Sequence, residues 1–589
     1  ALKNETDFPS YFTEEAKEAY HNIKIVASDE NKGLKIVPLM RSDSGVYDAV
    51  DAIGFHYRTN ATSDYITMAD VDDKEVWYSE GCATFGYSEL QENKTAEYGA
   101  GTIGGYQSPL ALLDSLPNAF VGSRRTMYMF QPAIGSFYEG IQYGHKELLS
   151  ARDPWSGYIH YDPVLYMLSH ITKFAKTGWE NDTNTNGIWR VLPNATYGSF
   201  GSSDNEHQTA GINGDASYMT LAAPDKTNFS TVFINNTQNE KTFAIKTSDL
   251  NLSVDALHIW TTVTDDYLKQ GEDVKIEDGI AYVTVPAYSV VTATTLDTTP
   301  ERFPTEDGSG DYIQTEKRTV LDTDYTGKNQ NTTDDYLYAD NFEYTNEEDV
   351  TVYNATTGKE TTENYLVSRG NEPRYMLDTH GAWIVENGQL KQENASSVNQ
   401  WNGGDPATIV GDWRWMDYSA SIDVTLPGAE ASRYERLTIR AQTGMNWNNS
   451  GYTLEINGAG SWKLYRIGTQ IASGTVTKNA EGKYNLKLVG LGDTVYAYID
   501  GNKVTSYTDA NPMLSGRVKI SSNWTQVYAD NLEIKTVKGG IPYATAMIDG
   551  QDDGVAYNGT WAINNPGGGS ADNWYRTMSV SSTAGSSFT

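Results

Sequence analysis

A single cysteine, Cys82, stands among 589 residues. It excludes an internal disulfide framework and leaves no cysteine-built metal site. Long apolar runs are missing too, since no stretch reaches the length of a membrane span. Cationic residues are scarce, 44 Lys and Arg against 77 Asp and Glu, giving a net charge of -33. Such an acidic chain repels nucleic acid and anionic membrane surfaces, so neither is an expected partner. No signal peptide opens the sequence, and Ala1 reads as a point in the middle of a domain. What the chain does have is Tyr, Gly, Asn and Thr, with 40 Tyr and 53 Gly. Tyr and Trp faces stack on sugar rings and amides bind hydroxyls, although the same tyrosines serve equally as ordinary sheet surface.

The length calls for three or four domains. Residues 23–29 (IKIVASD), 50–57 (VDAIGFHY), 75–80 (EVWYSE) and 126–130 (TMYMF) read as strands. They are separated by helical or polar segments such as 12–20 (FTEEAKEAY). Apolar strands at helix-length spacing predict parallel βα units, with functional residues just past the strand C-termini. After about Trp179 the texture changes to short strands with turn signals, at 217–223, 229–235, 256–263 and 281–296, which predict an antiparallel sandwich. A Thr/Asp/Pro-rich linker follows, then a second all-β region with strands at 418–426, 436–442 and 495–499.

Two carboxylates stand out. Glu80 ends the strand EVWYSE and is followed by the small residues Gly81, Cys82 and Ala83. A charge at the end of an apolar strand is costly unless it is used or paired, but a Glu solvated in the loop beyond is an equal reading. Asn4-Glu5 precedes the first of the strands. By itself it is no more than a charge near a helix N-terminus.

Asn-Glu at a strand end resembles the acid/base signature of the large clan of retaining glycosidases built on βα barrels. There the pair closes strand four and the nucleophile closes strand seven. Glu80 ends the third strand after Asn4-Glu5, so the count agrees. The resemblance narrows further. KIVASD, DAIGFHY and VWYSE, then Tyr143-Gly144, DPWSGY at 153–158 and Gly178-Trp179, are similar to galactocerebrosidases, family 59 of the glycoside hydrolases. DTHGAW at 378–383, Leu390-Lys391-Gln392, DPATIVGDWRW at 405–415 and Ala529-Asp530-Asn531 resemble that family's lectin-like domain in the same order.

The resemblance implies Glu80 as nucleophile, Glu5 as acid/base and Asn4 as a ligand of a sugar hydroxyl. His56 and Tyr57 would line the cleft, with a structural role for His56 nearly as good a reading. Trp155 would stack on the sugar or pack beneath it, and Lys391 would reach the substrate. Retaining hydrolysis needs two facing carboxyls about 5–5.5 Å apart, and the acid is expected to have a pKa raised by the nearby nucleophile's charge. No cofactor is needed for catalysis. A structural calcium at Asp530 is implied, against a turn-capping role. Three positions depart from the family pattern: Lys3 where Trp is common, Lys391 for Arg, and Ala83 for Ser. Lys keeps the charge but loses the bidentate fork.

The expected architecture is multidomain α/β plus all-β. Residues 1–175 form the C-terminal half of a (β/α)8 TIM barrel, 176–300 a β-sandwich, 301–323 a linker and 324–540 a lectin-like concanavalin-type jelly roll. Residues 541–589, where MIDGQDDGVAYNGTW begins at 547, start a further carbohydrate-binding jelly roll. If Glu5 ends strand four, strands one to three lie outside the sequence, which is then expected to be a fragment. The expected protein is a secreted or cell-surface exo-β-galactosidase acting on a glycan or glycolipid, with no transmembrane segment. The alternatives are a clan relative with another β-glycosidase specificity (glucosidase, xylosidase or galactanase), and a non-catalytic carbohydrate-binding or adhesion protein using Trp413, Trp415 and Trp524.

Overall fold

The computed structural model describes residues 5–30, 34–56, 61–82, 103–105, 108–131, 133–135, 148–151, 159–175, 189–198, 215–296, 336–344, 350–354, 359–363, 371–395, 404–412, 414–441 and 451–542, with four short strands beyond them. The expected linker at 301–323 lies outside the described residues. The chain forms two compact units, one of residues 1–135, 145–150 and 160–314, the other of the remainder.

The first unit begins with α1 (Glu14–His21), capped by the Thr13 side chain, which accepts from the Ala16 amide. Four strands follow: β1 (Val26–Glu30), β2 (Ala52–His56), β3 (Glu75–Cys82) and β4 (Arg125–Gln131). They lie side by side in chain order and all pair in parallel. Parallel neighbours need crossovers, and helices supply them. These are α2 (Ile36–Ser42) and α3 (Ser44–Ala49) after β1, α4 (Ser63–Asp70) after β2, and α5 (Pro109–Pro117) after β3. Val37 and Met40 from α2, with Tyr65 and Met68 from α4, bury against Ile53, Phe55, Val76 and Tyr78 of the sheet. The Arg125 guanidinium lies 4.4 Å from the rings of both Phe55 and Tyr78, which places its charge in this core against two π faces.

Two bulges break the ladder at the C-terminal rim. On β1, Ser28 pairs with Gly54 and Glu30 with Phe55, so Asp29 is the extra residue. On β3, Phe55 pairs with Tyr78 and His56 with Glu80, so Ser79 is extra. Bulges re-aim side chains, and both of these turn toward β2. Gly54 makes room for this. A Cβ there would stand 2.7 Å from Ser79 Oγ and 3.1 Å from Val26 Cγ1. Gly54→Ala is therefore expected to cost about 1–3 kcal/mol of stability, seen as a lower denaturant midpoint with unchanged slope.

The other strands described in this unit are antiparallel, apart from the short parallel pair Ile134–Gly135 and Leu149–Ser150. One sheet runs in the order Asp266–Gln270, Ala256–Val263, Ser289–Thr294, Phe229–Asn235, Ser217–Ala222, Arg190–Val191, with Val274–Lys275 also on Ala256–Val263. A second has two strands, Lys241–Lys246 and Ile280–Val285. Phe229–Asn235 is buried at every position because both its faces are covered. Phe229 and Phe233 pack with Phe243 and Val283. Val232 and Ile234 pack on Leu110, Leu113 and Leu116 of α5 and on Met167 of α6 (Pro163–Thr172). The single strand expected over 281–296 is two strands in different sheets. Pro286 has no N–H to continue a ladder, and Tyr288 adopts φ 48°.

The second unit contains two antiparallel sheets around a large apolar core. One runs Trp383–Glu386, Gln389–Gln392, Val527–Thr536, Tyr418–Thr425, Lys483–Leu491, Thr494–Ile499, Asn502–Thr508, with Tyr336–Asp340 also paired to Val527–Thr536. The other runs Met376–His380, Ala407–Val410, Arg517–Ser522, Tyr434–Ala441, Tyr452–Asn457, Ser461–Arg466, Thr469–Thr475. Buried Arg440 donates to the carbonyls of Met416, Gly492 and Met513 and to the Asp417 carboxylate, so its charge is met where it lies.

Candidate active site

The C-terminal ends of β1, β2 and β3 bring three titratable side chains together. His56, at the end of β2, is largely buried. Its Nε2 lies 2.7 Å from Asp29 Oδ1 and its Nδ1 lies 3.5 Å from Glu80 Oε2. Ser79 Oγ donates to the same Asp29 oxygen at 2.6 Å. The bulges produce this arrangement, because Asp29 and Ser79 are the inserted residues and Glu80 pairs directly with His56. The Ser79 hydroxyl, aided by His56, holds the Asp29 carboxyl below its usual range despite partial burial. Ser28 and Asp29 have φ of 84° and 46°, conformations that non-glycine residues rarely adopt.

Glu5 has different surroundings. Its Oε1 accepts the amides of Thr6 and Asp7, both at 2.8 Å, and its carbonyl oxygen lies 2.7 Å from His21 Nε2. The Asp7 and Thr6 amides hold its exposed carboxyl below the usual value. This corrects the expectation of a raised pKa, since backbone donors stabilise the ionised form. Asn4, Tyr57 and Trp155 lie outside the described residues.

In the second unit Lys391 is held by two carboxylates, Glu393 Oε2 at 2.6 Å and Glu386 Oε2 at 3.0 Å, which raise its pKa. Its charge is met within its own unit. Asp530 accepts the Asn531 amide at 2.7 Å, and burial pushes its carboxyl up. Neighbouring Asp423 has both oxygens taken by amide groups, Asn485 Nδ2 at 2.8 Å and Asn531 Nδ2 at 3.0 Å. Among the described residues no group of three or more His, Cys, Asp or Glu could hold a metal ion. Trp415 is fully buried in the core, which corrects its reading as a sugar-facing ring. Trp524 Nε1 donates to the Gly404 carbonyl, and Trp413 lies outside the described residues. Among the described residues no helix is long and apolar enough to cross a membrane.

Sequence reasoning missed Asp29 and Ser79. Asp29 closes the run IKIVASD and stands at a strand end as His56 and Glu80 do, so the same criterion would have found it.

Adjacent parallel strand ends that converge a His on two carboxylates suit hydrolytic chemistry. Residues 3–173, which carry Glu5, Asp29, His56 and Glu80, form a glycoside hydrolase segment. They match the profile of glycosyl hydrolase family 59. The galactocerebrosidase of Danio rerio is 28% identical over 160 residues, 27% of this chain and 21% of that protein. That of Canis lupus familiaris is 29% identical over 157 residues, 27% and 20% of the two chains. Over this segment the chain is galactocerebrosidase-like, and it spans about a fifth of the length of the curated relatives it matches. A solved GH30 endoxylanase from Clostridium papyrosolvens covers 46% of this chain and 56% of its own at TM-score 0.30 and 12% identity, too distant to bear on the fold.

Proposed function

We propose that this protein is a retaining exo-β-glycosidase that releases terminal β-linked galactose from a glycan or glycolipid outside the cell or at its surface. On this reading β1 to β4 are the fifth to eighth strands of a (β/α)8 barrel, and Glu80 is the nucleophile. The observation that carries it is His56 Nδ1 at 3.5 Å from Glu80 Oε2 at neighbouring strand ends, inside the segment that matches the hydrolase family. Glu80 attacks the anomeric carbon, the leaving oxygen takes a proton from Glu5, and Glu5 then deprotonates the water that cleaves the glycosyl ester. The Thr6 and Asp7 amides both bond Oε1 and favour the ionised form, so Glu5 carries that proton on Oε2 against their bias. Asn4 and Tyr57, which belong to the same matched segment, are sugar contacts on this reading.

The test is incubation with a 2-deoxy-2-fluoro β-galactoside bearing a good leaving group, followed by peptide mass spectrometry. The protein should retain any residues encoded before Ala1. A galactosyl adduct on Glu80 is expected. Labelling of Glu80 by a gluco or xylo probe alone would keep the mechanism and replace the sugar. No label from any probe would favour a carbohydrate-binding protein without turnover.

A further inference from the structure

Two polar side chains of the second unit stand buried and unmatched on a sheet face that the proposed chemistry does not use. In antiparallel strands, residues paired across the ladder point to the same face. Thr438 pairs with Lys519 and Thr453, and Arg436 pairs with Ser521 and Glu455. Their face is turned away from the core, because the residues between them, Leu437, Leu454 and Ile520, pack inside it. Outward-facing residues are ordinarily exposed, yet Lys519 is 3% exposed, Ser521 1% and Thr438 fully buried. The polar floor of this face therefore lies below the surface. Lys463, which pairs with Glu455 on the next strand, is 45% exposed, so solvent reaches the face from that side.

The neighbouring cations on this face are matched. Arg436 reaches Asp405 Oδ2 at 2.6 Å through Nη1 and Glu455 Oε2 at 2.7 Å through Nε. Lys463 reaches Glu455 Oε1 at 3.1 Å, and the hydroxyls of Thr438 and Thr453 meet at 2.8 Å. Lys519 differs: among the described residues its ammonium makes no hydrogen bond and no ion pair, and the Ser521 hydroxyl makes no hydrogen bond either. Burial, with the charge of Arg436 adding to it and Asp405 opposing, pushes Lys519 down to about 8, so at neutral pH it is still a cation. An uncompensated buried charge is costly, and a bound anion removes that cost. The hydroxyls beside it decide which anion fits. A bare carboxylate would use the ammonium alone, whereas a sugar acid also brings hydroxyls to Ser521. We propose that this face of the second unit binds an acidic saccharide, with Lys519 taking the carboxylate of a uronate and Ser521 a ring hydroxyl. The site does not rest on Glu80 as nucleophile.

The test is calorimetric titration of the full chain with methyl β-glucuronide, methyl β-glucoside and acetate. Saturable binding of the glucuronide is expected, about tenfold tighter than that of either control. Lys519→Met keeps the length of the side chain and removes its charge, and should weaken the glucuronide about tenfold with the fold retained. Ser521→Ala removes one oxygen without touching the core and should weaken it by about threefold or more. No saturable binding to the unmodified chain would overturn the proposal. So would undiminished binding in Lys519→Met or, should that variant not fold, in Ser521→Ala. Equal affinity for the glucoside would remove the carboxylate from recognition, equal affinity for acetate would remove the sugar, and either result overturns the proposal too. Glu80→Gln should bind the glucuronide as the unmodified chain does, so failure of the galactoside labelling would leave this result standing.

Discussion

Glu80→Gln is expected to lower kcat by about 10⁴-fold, roughly 5.5 kcal/mol of transition-state stabilisation, while leaving the fold intact. An amide at this position cannot form the glycosyl ester, and it presents no charge to His56 Nδ1. Stability should barely change, because the Glu80 side chain is 31% exposed and does not belong to the apolar core of the sheet. The measurement is kcat on an aryl β-galactoside beside a melting curve. A variant within tenfold of the unmodified rate would remove Glu80 from the chemistry and leave Glu5 without a partner. Equal loss of activity and of melting temperature would assign Glu80 a structural role.

The second large effect concerns stability and pH in the first unit. Asp114 on α5 is fully buried, and burial pushes its carboxyl up to about 8, against the opposing Ser217 side chain. His170 on α6 is fully buried between Thr292 Oγ1 at 2.8 Å and Thr262 Oγ1 at 2.7 Å, and burial pushes it down to about 3. For Asp114 the folded chain holds a proton that the unfolded chain has released, so stability falls as pH rises from about 4 to about 8. For His170 the unfolded chain binds the extra proton, so stability falls as pH drops from about 6.5 to about 3. The two slopes, each about 1.4 kcal/mol per pH unit, oppose one another between about 4 and 6.5 and leave a plateau. Above 6.5 Asp114 acts alone. Asp114→Asn should therefore gain on the unmodified chain by about 2 kcal/mol between pH 6.5 and 8. Denaturant midpoints of both proteins across pH 5 to 9 would show it as diverging curves, and parallel curves would refute it.

The strand texture of the sequence carried much of this structure. Strands expected at 229–235 and 256–263 are found as Phe229–Asn235 and Ala256–Val263, because β-branched and aromatic runs bounded by turn residues leave few alternatives. EVWYSE is β3 as expected, although β3 continues to Cys82. His56 and Glu80 were each legible as residues at a strand end, though not as partners of one another. Their relative placement was not legible: an alternation of faces assumes an unbroken ladder, and the bulges at Asp29 and Ser79 shift it by one residue. Glu5 was named from its neighbours in sequence, whereas the direction of its pKa depends on which amides its own side chain reaches. Asp114 passed unnoticed although it is the one acidic residue in PLALLDSLP, a helix buried along its whole length.

The strand Val527–Thr536 has a further consequence for how the second unit comes into being. It holds Gln389–Gln392 and Tyr336–Asp340 along one edge and Tyr418–Thr425 along the other. It is also the last strand of that sheet to leave the ribosome. At roughly 5–20 residues per second, Tyr336–Asp340 waits on the order of tens of seconds for its partner. Until then the strand has an open edge, the condition under which chains pair with one another instead of with themselves. The sheet closes only when its final strand enters between partners made long before it, so biosynthetic yield of this unit depends on keeping its earliest strand unpaired.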